Sequence, residues 1–136
     1  MDLSVFDVTE DGIEMQVRHL ATGAPLWQDS ESEKAVTITF TGIDSPQFKK
    51  AARANTDRRI RSGFRAKVTA EQMDEEGLEV LVKCTLSWDG MEVDGAVLPF
   101  SAANVRMIFT RFPWLRLQAE EFNADRQNFL KPSSKS

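Results

Sequence analysis

Residues 88–130 read WDGMEVDGAVLPFSAANVRMIFTRFPWLRLQAEEFNADRQNFL, and the fold class follows from how that stretch divides. Asp94-Gly95 stands between Met91-Glu92-Val93 and Ala96-Val97-Leu98, and Asp-Gly favours the positive φ angles that a two-residue hairpin turn demands. A hairpin over 88–98 is the expectation. Ser101 follows Pro99-Phe100 and precedes the spaced apolar residues Val105, Ile108, Phe109 and Phe112. It can therefore accept a hydrogen bond from an unpaired N–H of a first helical turn, with Phe100 and Val105 placed to form a hydrophobic staple. Pro113 cannot continue that helix but suits the first turn of a new one. Trp114, Leu115, Gln118, Phe122, Arg126 and Phe129 then recur at helical spacing. The spacing predicts two consecutive helices, about 102–112 and 113–129, meeting at the proline.

Upstream, Ile13, Met15 and Val17 alternate with Glu14, Gln16 and Arg18, the pattern of a strand with one wet face. Met1 to Gly12 alternates only weakly and reads as a poorly fixed arm or an edge strand. Ala35-Val36-Thr37-Ile38-Thr39-Phe40 is the strongest strand signal and should pair with 13–17, while 25–27 offers a short return strand. Gly42-Ile43-Asp44-Ser45-Pro46 gives a break, an N-cap and a proline at the first helical position, so a helix should run from about 46 to 61. Thr69 and Gln72 have capping-box spacing and predict a helix over about 70–86, with Leu78, Leu81, Val82 and Leu86 as its buried stripe. Gly77 weakens that helix by roughly 1 kcal/mol relative to alanine, which leaves a strand as the alternative for 79–86. The sum is an α+β fold over residues 1–130. A small antiparallel sheet from 13–17, 25–27 and 36–40, with 91–93 and 96–98 as possible additions, packs against three to four helices that end in a C-terminal helical hairpin. Residues 131–136 have nothing to bury and read as a flexible tail.

At 136 residues, 41% hydrophobic and 28% charged, the chain has globular composition and the length of one ordinary domain. One cysteine excludes an intramolecular disulfide and suits a reducing compartment. No apolar run approaches the roughly 20 residues of a membrane span, and the acidic start lacks a signal-peptide pattern, so a cytosolic protein is expected.

Chemistry-bearing constellations are sparse. Cys84 and His19 are too few soft ligands for a zinc site. Asp89, Glu92 and Asp94 cluster around two Asp-Gly pairs, but Asp-Gly is first a turn former and the distal glutamate of a calcium loop is missing. His19 has no serine and orienting acid beside it, and Cys84 sits among apolar residues as a core side chain. No catalytic residue, metal or cofactor is expected. The stretch 49–67 is strongly basic. Its cations either pair with the acids of 71–79 as a solvated face, the reading we favour, or serve a small nucleic-acid binder through Arg53, Arg58, Arg59, Arg61 and Arg65. The aromatics Phe109, Phe112, Trp114, Phe122 and Phe129 exceed what a short helical hairpin needs for its own core. Phe109, Phe112 and Phe122 read as core, whereas Trp114 and Phe129 are candidates to meet another chain.

Trp88 with the Asp-Gly pairs, Leu98-Pro99-Phe100-Ser101, Ala103-Asn104-Val105, Pro113-Trp114-Leu115 and Phe122 through Leu130 resemble the C-terminal half of tail assembly chaperones of long-tailed bacteriophages and prophages. Arg18 through Leu26, then Val36-Thr37-Ile38 and Gly42-Ile43-Asp44-Ser45, are similar to the opening of that type. The resemblance implies a non-enzymatic protein of the host bacterial cytoplasm, absent from the finished virion. Such a protein keeps the long helical tape-measure protein soluble and helps recruit tail-tube subunits. It implies Trp114, Leu115, Phe122, Arg126 and Phe129 as partner contacts, with self-association as a further possibility and no membrane partner. It leaves no role for the basic stretch. The competing class is a structural tail or head-tail connector component that stays in the particle.

Overall fold

The computed structural model describes residues 1–29, 31, 33–63 and 67–131. In chain order the regular elements are β1 (Ile13–Gln16), β2 (Thr37–Phe40), α1 (Pro46–Ser62), α2 (Ala70–Cys84), β3 (Thr85–Asp89), β4 (Glu92–Val93), β5 (Ala96–Val97), α3 (Ala102–Arg111) and α4 (Pro113–Ala124). Short 3-10 turns cover Leu3–Phe6 and Arg126–Phe129. The architecture is α+β.

The local signals at helix starts are realised in the structure. Ser45 accepts from the Phe48 N–H at 3.2 Å and Ser101 from the Asn104 N–H at 3.1 Å. Thr69 and Gln72 form a complete capping box, each side chain on the other's backbone N–H. In the β4–β5 turn Asp94 and Gly95 both adopt positive φ, 55° and 80°, the primed geometry that matches strand twist.

Strand boundaries depart from expectation where they depend on partners far along the chain. β1 and β2 pair antiparallel, with Met15 opposite Ile38. The third strand of that sheet is β3, set against β2 with Ile38 opposite Trp88. Helix α2 therefore stops at Cys84 instead of 86, and Leu86 is 38% exposed instead of lying in a buried stripe. Thr85 turns extended (φ −87°, ψ 118°), its hydroxyl donates to Leu81 O at 2.7 Å, and the open edge of β2 gives the following backbone a ladder to join. The register shifts between Thr39 and Phe40, which pair with Ser87 and Thr85, so Leu86 has no partner of its own, a bulge. β4 and β5 make a separate two-stranded sheet and do not extend the first. Residues 25–27 form no strand; they are tied by single bridges, Arg18 to Pro25 and Trp27 to Ala35.

The C-terminal helix also ends early, at Ala124 and not near 129. Asn128 Nδ2 donates to Phe122 O at 3.0 Å, and Asp125 caps the 3-10 turn that follows through the Gln127 N–H. These side chains satisfy backbone groups locally and compete with helix continuation. The turn then swings Phe129 inward. The N-terminal arm meets this end: Thr9 N–H donates to Phe129 O at 2.6 Å and Lys131 N–H to Asp7 O at 2.9 Å. The tail beyond Lys131 lies outside the described residues, as does Arg65 of the basic stretch.

The core forms where β2 faces the helices. Ile38, Phe40, Val105, Ile108 and Ala119 have no accessible surface, and Phe109, Phe129 and Leu115 almost none. Phe40 stands 6.4 Å from Phe109 and 6.0 Å from Phe122, and Phe122 is 5.5 Å from Phe129, so four rings bind the sheet to α3, α4 and the last turn. A Cβ on Gly42 would lie 3.0 Å from the Phe129 ring, which explains the glycine there.

One residue just past β2 links the start of α1 to α2 and α4. Thr41, fully buried, donates its N–H to Cys84 O at 2.8 Å and accepts the Asn123 side-chain amide on its carbonyl. Its hydroxyl accepts from Ser45 Oγ at 3.1 Å.

Truncating Phe129 to alanine removes a sealed ring and is expected to lower stability by about 3–5 kcal/mol. Leu117→Ala, at a site 57% exposed, should change it by less than about 0.5 kcal/mol. Urea unfolding followed by fluorescence distinguishes the two.

Candidate partner-binding groove

The Pro113 corner makes one wall of the main apolar hollow. Phe112 ends α3 and caps α4 with φ −119° and ψ 80°, Pro113 opens α4, and the bend sets the Phe112 and Trp114 rings edge to face at 6.2 Å. The Arg111 guanidinium lies 5.1 Å from the Phe112 ring centre and grips Asp94 with two hydrogen bonds of 2.7 Å. That bidentate pair fixes the β4–β5 turn to the corner. The Arg111 hydrogen bond, helped by its charge, holds the Asp94 carboxyl below the ordinary carboxylate range.

Trp27 also lines the hollow and is 52% exposed despite its size. Gln28 beside it donates to Ala35 O at 3.2 Å and packs where a Cβ on Gly90 would sit, 2.5 Å from its carbons. The hollow has a volume of about 330 Å³ and is floored by Val17 and Leu115 and edged by Glu92. Its dimensions suit one or two large apolar side chains, and its walls are built largely from aliphatic and aromatic groups.

The five residues expected at a partner surface separate. Trp114, half-buried, and Leu115, buried as floor, line the groove. Phe129 is sealed in the core, and Phe122, half-buried, packs between Phe40 and Phe129 away from the groove lining. Arg126 is exposed but engaged with Asp44, at 2.7 Å. Phe112, read from the sequence as core, is half-buried in the groove wall, and sequence reasoning missed Trp27. A tryptophan two residues after Pro25, in the stretch expected as a short return strand, was the available signal.

The basic stretch resolves in part as expected. Arg58 pairs with Glu79 at 3.3 Å and Arg59 with Glu76, the acids of the following helix. Hydrogen bonding to Glu76, then its charge, raises the Arg59 pKa further. Lys49, Lys50 and Arg53 border an open hollow of about 490 Å³ that Glu10 and Asp57 also line, which tempers its positive charge. His19 is exposed and its Nδ1 accepts from the Ala21 and Thr22 N–H groups, holding a turn. Cys84 is buried, and burial pushes its thiol pKa up. Among the described residues no three His, Cys, Asp or Glu side chains converge on a common point, and no helix is long and apolar enough to cross a membrane.

The Arg126 hydrogen bond holds the Asp44 carboxyl below its ordinary range, more than burial raises it. Unfolded Asp44 binds its proton more tightly than folded Asp44, so the pair contributes stability above about pH 4 and loses it as pH falls through the depressed folded value. Urea midpoints measured from about pH 7 down to about pH 3 should fall less steeply for Asp44→Asn than for the parent chain.

No family model matches this chain, no curated protein is similar to it at a significant level, and no solved structure matches it.

Proposed function

We propose that this protein is a non-enzymatic holding protein, a tail assembly chaperone of a long-tailed phage or prophage. In this reading it covers an apolar stripe of the tape-measure protein in the host cytoplasm, helps bring tail-tube subunits to it, and is left out of the mature particle. The observation that carries the reading is the groove. Trp27, Phe112 and Trp114 stand partly or largely in solvent around an apolar floor, while the salt bridge of Arg111 to Asp94 keeps one wall in place. A preformed hollow with aromatic walls is suited to side chains from an amphipathic helix laid across it. A tape measure is a long helix whose apolar stripe would aggregate alone, and covering it opposes that.

The contacts proposed are therefore Trp27, Phe112, Trp114 and the floor at Leu115. Aromatic anchors of this kind typically lose more than about 1 kcal/mol of binding on truncation. Trp114→Ala is expected to reduce co-purification with a co-expressed tape-measure protein at least about tenfold while the thermal melt stays close to that of the parent. Co-purification unaffected by Trp114→Ala and Trp27→Ala rejects the groove. Stoichiometric amounts of this chain in purified virions, measured by mass spectrometry, reject the chaperone role in favour of a structural one.

A further inference from the structure

We infer that the outward face of α1 is a second binding surface, one that grips the phosphate backbone of a nucleic acid through Lys49, Lys50, Arg53 and Arg61. This face shares no residue with the groove lining and does not depend on the holding role.

Helix α1 carries six cations and one acid, Asp57, in a chain whose net charge is −4. Its buried residues are Ala51 and Asn55, and α2 is its chief neighbour. The cations sort by their place around the helix. Arg58 and Arg59 stand at the margins of the buried side and are taken up by Glu79 and Glu76 of α2. Lys49, Lys50, Arg53 and Arg61 fall within about a third of the circumference, on the side turned away from Ala51 and Asn55. All four are exposed, and among the described residues none has an acid within salt-bridge distance. Lys49 lies near Asp44, whose carboxylate is already held by Arg126. Two acids oppose the four cations: Asp57 and, from the N-terminal arm, Glu10, which line an open hollow together with Lys49, Lys50 and Arg53. The balance stays positive, and from Lys49 to Arg61 the face runs about 18 Å.

The occupant follows from what else the face offers. Ile60, 62% exposed, is its one large apolar side chain, and it carries no aromatic ring. A protein partner would need an apolar centre to the interface, and a membrane surface would need an apolar side of the helix to sink among the lipids, where α1 has α2 instead. A phosphate backbone needs neither, because attraction comes from neutralised phosphates and the counterions they release. With no aromatic side chain on which bases could stack, the contact is indifferent to sequence.

The test is fluorescence anisotropy of the full chain with a labelled DNA duplex of about 20 base pairs. Binding is expected at about 0.05 M salt, and raising the salt to about 0.15 M should weaken it roughly tenfold or more, the dependence of two to three phosphate contacts. Arg53→Gln should flatten the slope of log affinity against log salt by about 0.9 while the thermal melt stays unchanged. Asp57→Asn should tighten binding. Arg58→Gln removes a cation that is already paired and should change the slope far less than Arg53→Gln. A second duplex of unrelated sequence should bind as well as the first, and Trp114→Ala should leave both unaffected, which separates this surface from the groove. No binding at about 0.02 M salt, a slope untouched by Arg53→Gln, or an equal change from Arg58→Gln overturns the inference. Equally tight binding of polyglutamate or of anionic phosphatidylserine vesicles overturns it too.

Discussion

A run of hydrogen bonds centred on one buried threonine ties the molecule together. The Phe48 N–H donates to Ser45, Ser45 donates to the Thr41 hydroxyl, and the Thr41 hydroxyl points on to Cys84 O at 3.5 Å. The Thr41 amide meets the same carbonyl, and Asn123 closes the arrangement from α4. The end of β2, the start of α1, the junction of α2 with β3 and the last turn of α4 are thus held by consecutive polar contacts among buried residues. There each bond is strengthened by its neighbours, and an orphaned partner would cost roughly 1–3 kcal/mol. The four-ring cluster around Phe40 can pack in one way because this node has already set where the strand stops.

That fixed strand also positions the groove. β3 lies where it does because β2 offers it an edge, β3 leads into Gly90 and the β4–β5 turn, and the turn carries Asp94 to Arg111. The wall at the Pro113 corner and the edge at Glu92 are therefore consequences of sheet pairing some fifty residues earlier in the chain. Rigid support for half-exposed aromatics limits the ordering cost when something binds against them.

What could be read in the amino acids alone sorts by the distance over which the deciding interaction acts. Ser45, Thr69 and Ser101 cap their helices by bonds to residues three positions on, and Asp94-Gly95 makes its turn from its own backbone preferences, so all four were legible. The helix-to-strand switch at Thr85 was not, because its cause is a free edge on β2. Phe129 fits a helical stripe with Trp114 and Phe122, yet a cap at Asp125 breaks that stripe and sends the ring to the core, where Gly42 leaves room for it. Nothing local to Thr41 announces that it will be bonded to residues of α1's cap, α2 and α4. Of the surface candidates only Trp114 and Leu115 reached the groove. Trp27 lines the same groove from residues 25–27, where the expected strand is reduced to single bridges.

Residues 7 to 9 and 129 to 131 run side by side, joined by two backbone bonds and the bridge from Val8 to Leu130. The path of the backbone is consequently almost a closed loop. Asp7 and Lys131 therefore lie at neighbouring points, and a short linker joining these two places would let the ring be opened at the Asp94-Gly95 turn instead, with the elements between them keeping their neighbours.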